Sequence, residues 1–419
     1  MNQLTIETKA LHGTLTVQPS KYLAHRLIIA AALAEGHSTL SPVYPGDDVL
    51  ATSRAVETMG IARCKWQDET LLIDGGQPAH TGKRIDCNES GSTLRFLLPM
   101  PAIWGVEALF CGKDSLLQRP MHPYSELFAR QGITYQQEPT HIRVSGPLRP
   151  GLFELPGDIS SQFVTGLLFA LPLLDGDSTI SLSSDLESRG YADMTLDVLD
   201  RFGVSAFWEN SRTLEIPGNQ HYKPAQTTVS GDWAHAAFYL AAGVMGSSEL
   251  KLQGLDPSLK QDSQIVPILQ SMGGDIQWDG KTLVARGSKL HGISVDGRNI
   301  PDLIPILAVA ACAAEGETHI ENVGRLRFKE SNRLEGLAEQ LCRLGGSVRV
   351  EGDNLHISGQ GKLRGGRVDA LGDHRLAMSL AMASILCTEP VLLSGARSVA
   401  KSAPQFWQEY AELGGVAVG

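Results

Sequence analysis

Long apolar runs are missing from this 419-residue chain. The two longest, Phe163 to Leu174 and Leu303 to Ala314, each contain a proline and fall well short of the roughly 20 residues that span a bilayer, so both read as buried helices. The first residues, Met1 to Lys9, carry neither a basic stretch nor an apolar core of signal-peptide type, and a cytoplasmic location is expected. Cysteine is sparse and scattered: Cys64, Cys87, Cys111, Cys312, Cys342 and Cys387 make no C-x-x-C pair and no Cys/His cluster, which argues against a zinc site or a disulfide framework. P-loop, G-x-G-x-x-G and EF-hand patterns are absent, so no metal or nucleotide cofactor is expected. A formal net charge of -10 argues against nucleic acid and anionic membranes as partners.

Glycine, by contrast, is plentiful, and it is periodic. Helix-like segments end at Gly60, Gly132, Gly203, Gly273, Gly345 and Gly414, a spacing close to 70 residues. A second series, Gly36, Gly105, Gly176, Gly246 and Gly316, keeps the same beat, with Thr388-Glu389-Pro390 in the sixth copy. Six copies in a chain of this length favour two domains of three copies each, in a compact α/β or α+β protein.

A third slot on this period holds Ser20-Lys21, Ser90-Gly91, Ser160-Ser161, Ser230-Gly231, Pro301-Asp302 and Gly372-Asp373, each leading into an apolar stretch. Ser, Asp and Gly before such a stretch are N-cap residues, so these slots predict helix starts. Unpaired N–H groups and a partial positive charge make a helix start a site for anions. If several copies aim at one place, they form a shared anion-binding cleft. Ser160-Ser161-Gln162 fits either an ordinary cap or a phosphate cradle, and Asp302 either a cap or a carboxylate base.

The cations gather near these slots although the chain is acidic. Lys21 and Arg26 follow the first, Arg95 the second and Arg375 the sixth, with Arg119 before Pro120 and Lys401 near the C-terminus. In Arg325-Leu326-Arg327-Phe328-Lys329 three cations alternate, which in an extended segment puts them on one face. Lys329 and Arg333 are four apart at an apparent helix start; such crowding fits an anion held between them, or a solvated basic strip. Arg suits phosphate and carboxylate through its planar fork, each charge-assisted bond contributing about 1.5–3 kcal/mol.

Taken together the motifs resemble the enolpyruvyl transferase family across essentially the whole chain. They are Ser20-Lys21 with Arg26, Glu89-Ser90-Gly91-Ser92-Thr93-Leu94-Arg95, Arg119-Pro120-Met121, Ser160-Ser161-Gln162-Phe163, Ser188-Arg189-Gly190-Tyr191 with Asp193, Gly231-Asp232, Pro301-Asp302, Arg327 to Arg333, Asp373-His374-Arg375 and Lys401-Ser402. The resemblance implies an α/β fold, the two-domain inside-out α/β barrel. It is built of six βαβαββ repeats, three per domain, with parallel helices inside and sheets outside. It places residues 1–14 with 229–419, closed by the first strand, and 15–228 in the other domain, with a double hinge near 13–18 and 226–231 and closure on substrate.

The implied reaction joins phosphoenolpyruvate to the 5-hydroxyl of shikimate 3-phosphate and releases phosphate, without metal or cofactor, in a monomer. Lys21, Gly91, Arg119 and Gln162 would hold the phosphate of phosphoenolpyruvate, and Arg333, Arg375 and Lys401 its carboxylate. Tyr22, Arg26, Ser160, Ser161, Gln162, Ser188, Tyr191, Asp302 and Lys329 would bind shikimate 3-phosphate. Asp302 would be the base, Glu330 and Lys329 the proton carriers, with Lys21 assisting catalysis.

The chain departs from the family pattern at several acceptor-side positions. Tyr22 replaces a Ser, Ala234-His235 a polar pair, Lys260-Gln261-Asp262 a Gln-Gly-Asp and Gly372 an Asn, while Arg325 stands where some members have an Asn. Asp114 occupies the position of the catalytic Cys of the UDP-N-acetylglucosamine branch, which argues against that branch. Alternatives are a paralogue acting on another acceptor alcohol, and a non-catalytic anion-binding relative.

Overall fold

The computed structural model describes residues 3–77, 82–259 and 261–419; Lys260 and the Asp114 side chain lie outside the described residues. Two compact units emerge: a terminal unit, Met1–Gln18 with Ser230–Gly419, and an inserted unit, Pro19–Val229. The first division falls at Gln18, not after residue 14 as expected, because Gly13–Thr16 is paired along its length with Leu250–Gln253 of the terminal unit.

Twelve helices carry the repeat. In the inserted unit they are α1 (Lys21–Leu33), α2 (Asp47–Met59), α3 (Gly91–Leu97), α4 (His122–Gln131), α5 (Ser161–Ala170) and α6 (Gly190–Arg201). The terminal unit has α7 (Trp233–Met245), α8 (Ile265–Ser271), α9 (Ile304–Ala313), α10 (Arg333–Arg343), α11 (His374–Ala383) and α12 (Phe406–Glu412). The odd-numbered helices are the apolar ones and are buried nearly all round; α9, for example, hides every side chain from Ile304 to Cys312. Each fully buried Leu, Ile or Val there contributes about 1.5–3 kcal/mol, so the core of each unit lies on its inner helices. In the terminal unit α7, α9 and α11 pack against one another. None of these helices is long and apolar enough to cross a membrane, among the described residues.

Six four-stranded sheets accompany the helices, three to each unit. Each has a parallel pair followed by two antiparallel strands, a hairpin in five of the six, as in Gln226–Thr227, Gly36–Leu40, Thr70–Gly75 and Arg63–Gln67. Three sheets are completed by strands distant in sequence, one of them by Gly13–Thr16 beside Leu250–Gln253. Gln3–Ile6 pairs antiparallel with Val391–Ser394, setting Ile6 opposite Val391, and Gln226–Thr227 returns to the first repeat of the inserted unit.

The even-numbered helices end at the six periodic glycines, whose φ values run from 71° to 95°. Only glycine reaches this left-handed region without a Cβ penalty, which is why the series is legible as a row of helix ends. The predicted starts hold at Ser20, Ser90, Ser160 and Asp373, each accepting a hydrogen bond from an N–H of the first turn. At the fourth slot the cap is Asp232, bonded to the N–H groups of Ala234 and His235, and not Ser230. At the fifth, helix α9 has no side-chain cap, so the carboxylate of Asp302 is left to other partners.

Candidate functional site

In the inserted unit the polar residues gather around the starts of α1, α3 and α5. Lys21, in the first turn of α1, reaches Asp48 of α2 at 3.1 Å, and only 11% and 7% of the two side chains are exposed. Sequence reading missed Asp48; its one signal is a pair of acids, Asp47-Asp48, opening a helix after Gly46. Around Gly91 a second group converges. A methyl group on Gly91 would lie 2.9 Å from Nη1 of Arg119 and 3.5 Å from Oε1 of Gln162, so glycine lets these side chains approach the backbone. Arg95 orients Gln162, donating to its Oε1 at 2.8 Å and to the Pro120 carbonyl at 3.1 Å, while the Gln162 amide donates to Ser92 at 3.0 Å. Ser160 caps α5 by accepting from the Gln162 N–H. The result is a set of N–H donors and cations in which Gln162 is held by bonds at both ends.

Beside it, Arg26 is 2% exposed and ties three helices together. It donates to Thr195 Oγ1 at 2.8 Å, to the Tyr22 carbonyl at 2.8 Å and to the Tyr191 carbonyl at 2.9 Å, with Thr165 at 3.4 Å. Burial without a carboxylate partner lowers its guanidinium to about 10, even with Tyr191 and Tyr22 pulling the other way. Arg26, expected as a substrate ligand, here gives its donors to groups between the helices. The ring of Tyr22 packs on Tyr191 with centroids 4.9 Å apart, which accommodates its bulk where the family carries Ser. Ser161 and Ser188 are buried, and Ser188 holds a left-handed φ of 57° one residue before the α6 cap.

The terminal unit builds a different cluster. Arg333, in the first turn of α10, is 1% exposed and faces three carboxylates. Its Nε and Nη2 donate to both oxygens of Asp373 at 2.8 and 3.1 Å, Nη1 to Asp302 at 2.9 Å, and Nη2 to Glu330 at 2.7 Å. Burial works against its charge, but Asp373, Glu330 and Asp302 outweigh that and raise its pKa above the ordinary value. Asp302 in turn sees Lys329 at 3.7 Å and Arg375 at 3.9 Å. The crowding of Lys329 and Arg333 is thereby explained: the anion between them is Oδ1 of Asp302. Burial pulls the Lys329 ammonium down to about 8, with Arg325 and Arg333 pulling the same way against Asp302 and Glu330. Arg375 is 2% exposed and donates through Nη1 to the Ala234 carbonyl at 2.9 Å. Lys401 is buried at the end of a short 3-10 turn, Ala396–Lys401.

One expectation is overturned. Gly324–Phe328 is a 3-10 turn, not an extended strip, and Arg327 does not share a face with Lys329. Arg327 donates instead to Glu335 at 2.7 Å, Asp353 at 2.6 Å and the Gly352 carbonyl at 2.7 Å. Two departures from the family pattern have a local reading. Ala234 supplies a backbone carbonyl, which any residue offers, and Gly372 has φ 72°, a conformation that Asn and Gly both adopt.

The chain is similar to known proteins over its whole length. The family EPSP synthase (3-phosphoshikimate 1-carboxyvinyltransferase) matches residues 6–410. A 3-phosphoshikimate 1-carboxyvinyltransferase of Clostridium novyi is 40% identical over 99% of this chain and 98% of its own, and one of Clostridium perfringens is 41% identical over the full length of both. Among solved structures, an EPSP synthase of Acinetobacter baumannii superposes with a TM-score of 0.83 at 25% identity, covering all of both chains. The enolpyruvyl transferase NikO of Streptomyces tendae shares the fold, with a TM-score of 0.80 at 17% identity over 99% of this chain and 98% of its own.

Proposed function

The chain belongs to the EPSP synthase family, and from that membership we infer that it transfers the enolpyruvyl group of phosphoenolpyruvate to the 5-hydroxyl of shikimate 3-phosphate, releasing phosphate. In the addition step the hydroxyl oxygen bonds to C2 of phosphoenolpyruvate as a proton reaches C3. Elimination then breaks the bond from C2 to the phosphate oxygen and returns a proton from C3. Such chemistry needs one group to take the hydroxyl proton and another to give and recover a proton at carbon.

The observation that supports this reading best is the meeting of Asp302 with Lys329, whose ammonium sits at about 8. Asp302 takes the hydroxyl proton. Lys329, able to hold or release a proton near neutrality, serves C3 or the departing phosphate together with Glu330. Lys21, Arg119, Gln162 and the Gly91 N–H stabilise the phosphate, while Arg333, Arg375 and Lys401 bind the carboxylate. Ser160, Ser161, Ser188, Tyr22, Tyr191, Asp302 and Lys329 receive shikimate 3-phosphate, with Arg26 holding the two tyrosine carbonyls in place. The reading includes a cytoplasmic monomer acting on small anions, without nucleic acid or membrane; the net charge of -10 and six free cysteines are in keeping with it.

Calorimetric titration with shikimate 3-phosphate, followed by phosphate release on adding phosphoenolpyruvate, tests the assignment. Binding with turnover is expected; recognition of phosphoenolpyruvate without binding of shikimate 3-phosphate would replace the acceptor by another alcohol.

A further inference from the structure

At Ala234-His235, where the family carries a polar pair, this chain has built a buried contact among residues that have been given no role so far. Nε2 of His235 lies 2.6 Å from Oε2 of Glu409, and the Tyr239 hydroxyl donates to the same oxygen at 2.8 Å. His235 and Glu409 are 2% and 5% exposed, 174 residues apart in sequence, and Phe406 closes over the imidazole with ring centroids 6.4 Å apart. Burial pushes the Glu409 carboxyl up, yet His235 and the Tyr239 hydroxyl more than offset this and hold it below the usual range. A carboxylate buried this deeply is costly unless its partners stay in place, so the contact binds the start of α7 to α12.

What lies between these anchors is the carbonyl that holds Arg375. Asp232 accepts from the N–H groups of Ala234 and His235 at 2.9 and 3.1 Å, Glu409 holds the His235 side chain, and Ala234 O receives Arg375 Nη1 at 2.9 Å. The same helix presents Phe238 to the Arg375 guanidinium, 5.7 Å from the ring centroid. A shift of the first turn of α7 would move both surfaces against which Arg375 rests.

We propose that His235 and Glu409 are positioning residues for Arg375, acting through the first turn of α7 to set where its guanidinium meets the phosphoenolpyruvate carboxylate. This rests on the reading of Arg375 as a carboxylate ligand. The pair touches neither substrate; it sets affinity for one of them.

Steady-state kinetics of the full-length enzyme test the proposal. His235→Gln and the nearly isosteric Glu409→Gln should each raise KM for phosphoenolpyruvate roughly tenfold, within the range of couplings between residues in contact. Both should leave KM for shikimate 3-phosphate unchanged and kcat within about twofold, the pattern of an affinity effect. Combining the two should add little to either, because they break one contact. Tyr239→Phe, which removes the other bond from α7 to Glu409 but keeps the tie to the first turn, should raise that KM far less. Folded His235→Gln and Glu409→Gln enzymes with an unaltered KM for phosphoenolpyruvate would overturn the proposal, as would equal rises in both KM values. Arg375→Lys separates the two layers of argument: an unaltered KM in that variant removes the carboxylate reading itself, while a raised KM there beside normal His235 and Glu409 variants removes only the positioning role.

Discussion

The two units treat buried arginine in opposite ways. Arg333 of the terminal unit is surrounded by the carboxylates of Asp302, Glu330 and Asp373, whereas Arg26 of the inserted unit is satisfied by carbonyls and hydroxyls alone. The same contrast runs through their neighbours, since Arg95 and Gln162 form a bond with a neutral acceptor while Lys329 and Arg375 lie near Asp302. A network of fixed opposite charges moves proton affinities, as the lowered Lys329 and raised Arg333 show. Arg26 and Arg95 bond to neutral acceptors although Lys21 faces Asp48 in the same unit, and donors held this way suit an incoming phosphate. On the proposed function, proton chemistry falls to the terminal unit and phosphate recognition to the inserted one.

Substitutions can sharpen or break this contrast. Asp302→Asn removes the proposed base and should lower kcat by about 100- to 10,000-fold while calorimetry still registers shikimate 3-phosphate; equal loss of binding and turnover would demote Asp302 to a structural partner of Arg333. Arg333→Met strands three carboxylates and should cost about 3–5 kcal/mol in denaturant unfolding. Arg26→Met strands no charge, only carbonyl and hydroxyl acceptors, so about 1–3 kcal/mol is expected. Costs of the reverse order would mean that charge compensation is not what distinguishes the units. At Gly91 an Ala methyl would meet Arg119 at 2.9 Å, and KM for phosphoenolpyruvate should rise roughly tenfold with the fold intact.

The smallest effect is one of pH. If Lys329 acts as the acid, kcat falls as pH rises through about 8, and Lys329→Arg, which keeps its proton, erases that limb from the pH profile. Its contribution to stability has the opposite sense. Because the folded amine is the weaker base, its protonation opposes folding below about 8, and the penalty is relieved as pH climbs toward the ordinary lysine value.

Much of the backbone plan was legible from local chemistry. Left-handed glycine at a helix end and a hydroxyl or carboxylate at a helix start are requirements of a single turn, so periodic Gly60 to Gly414 and the caps Ser20, Ser90, Ser160 and Asp373 could be read without knowing what packs where. The Arg325 to Lys329 reading failed because alternation puts charges on one face only in an extended chain, and here the 3-10 turn sends Arg327 to Glu335 and Asp353. The partners of Arg26 were illegible for a related reason: nothing near it in sequence announces that Thr195 and Tyr191, more than 160 residues on, will take its donors.

Local sequence thus sufficed for the repeat, its turns and the residue types gathered at helix starts, because each of these is decided over a few bonds of one chain segment. Partnership was a matter for the folded molecule. Whether Asp302 capped a helix or faced Arg333, and whether His235 would find Glu409, depended on which segments the packed inner helices brought within 3 Å, and charge interacts with distance in space, not with separation along the chain.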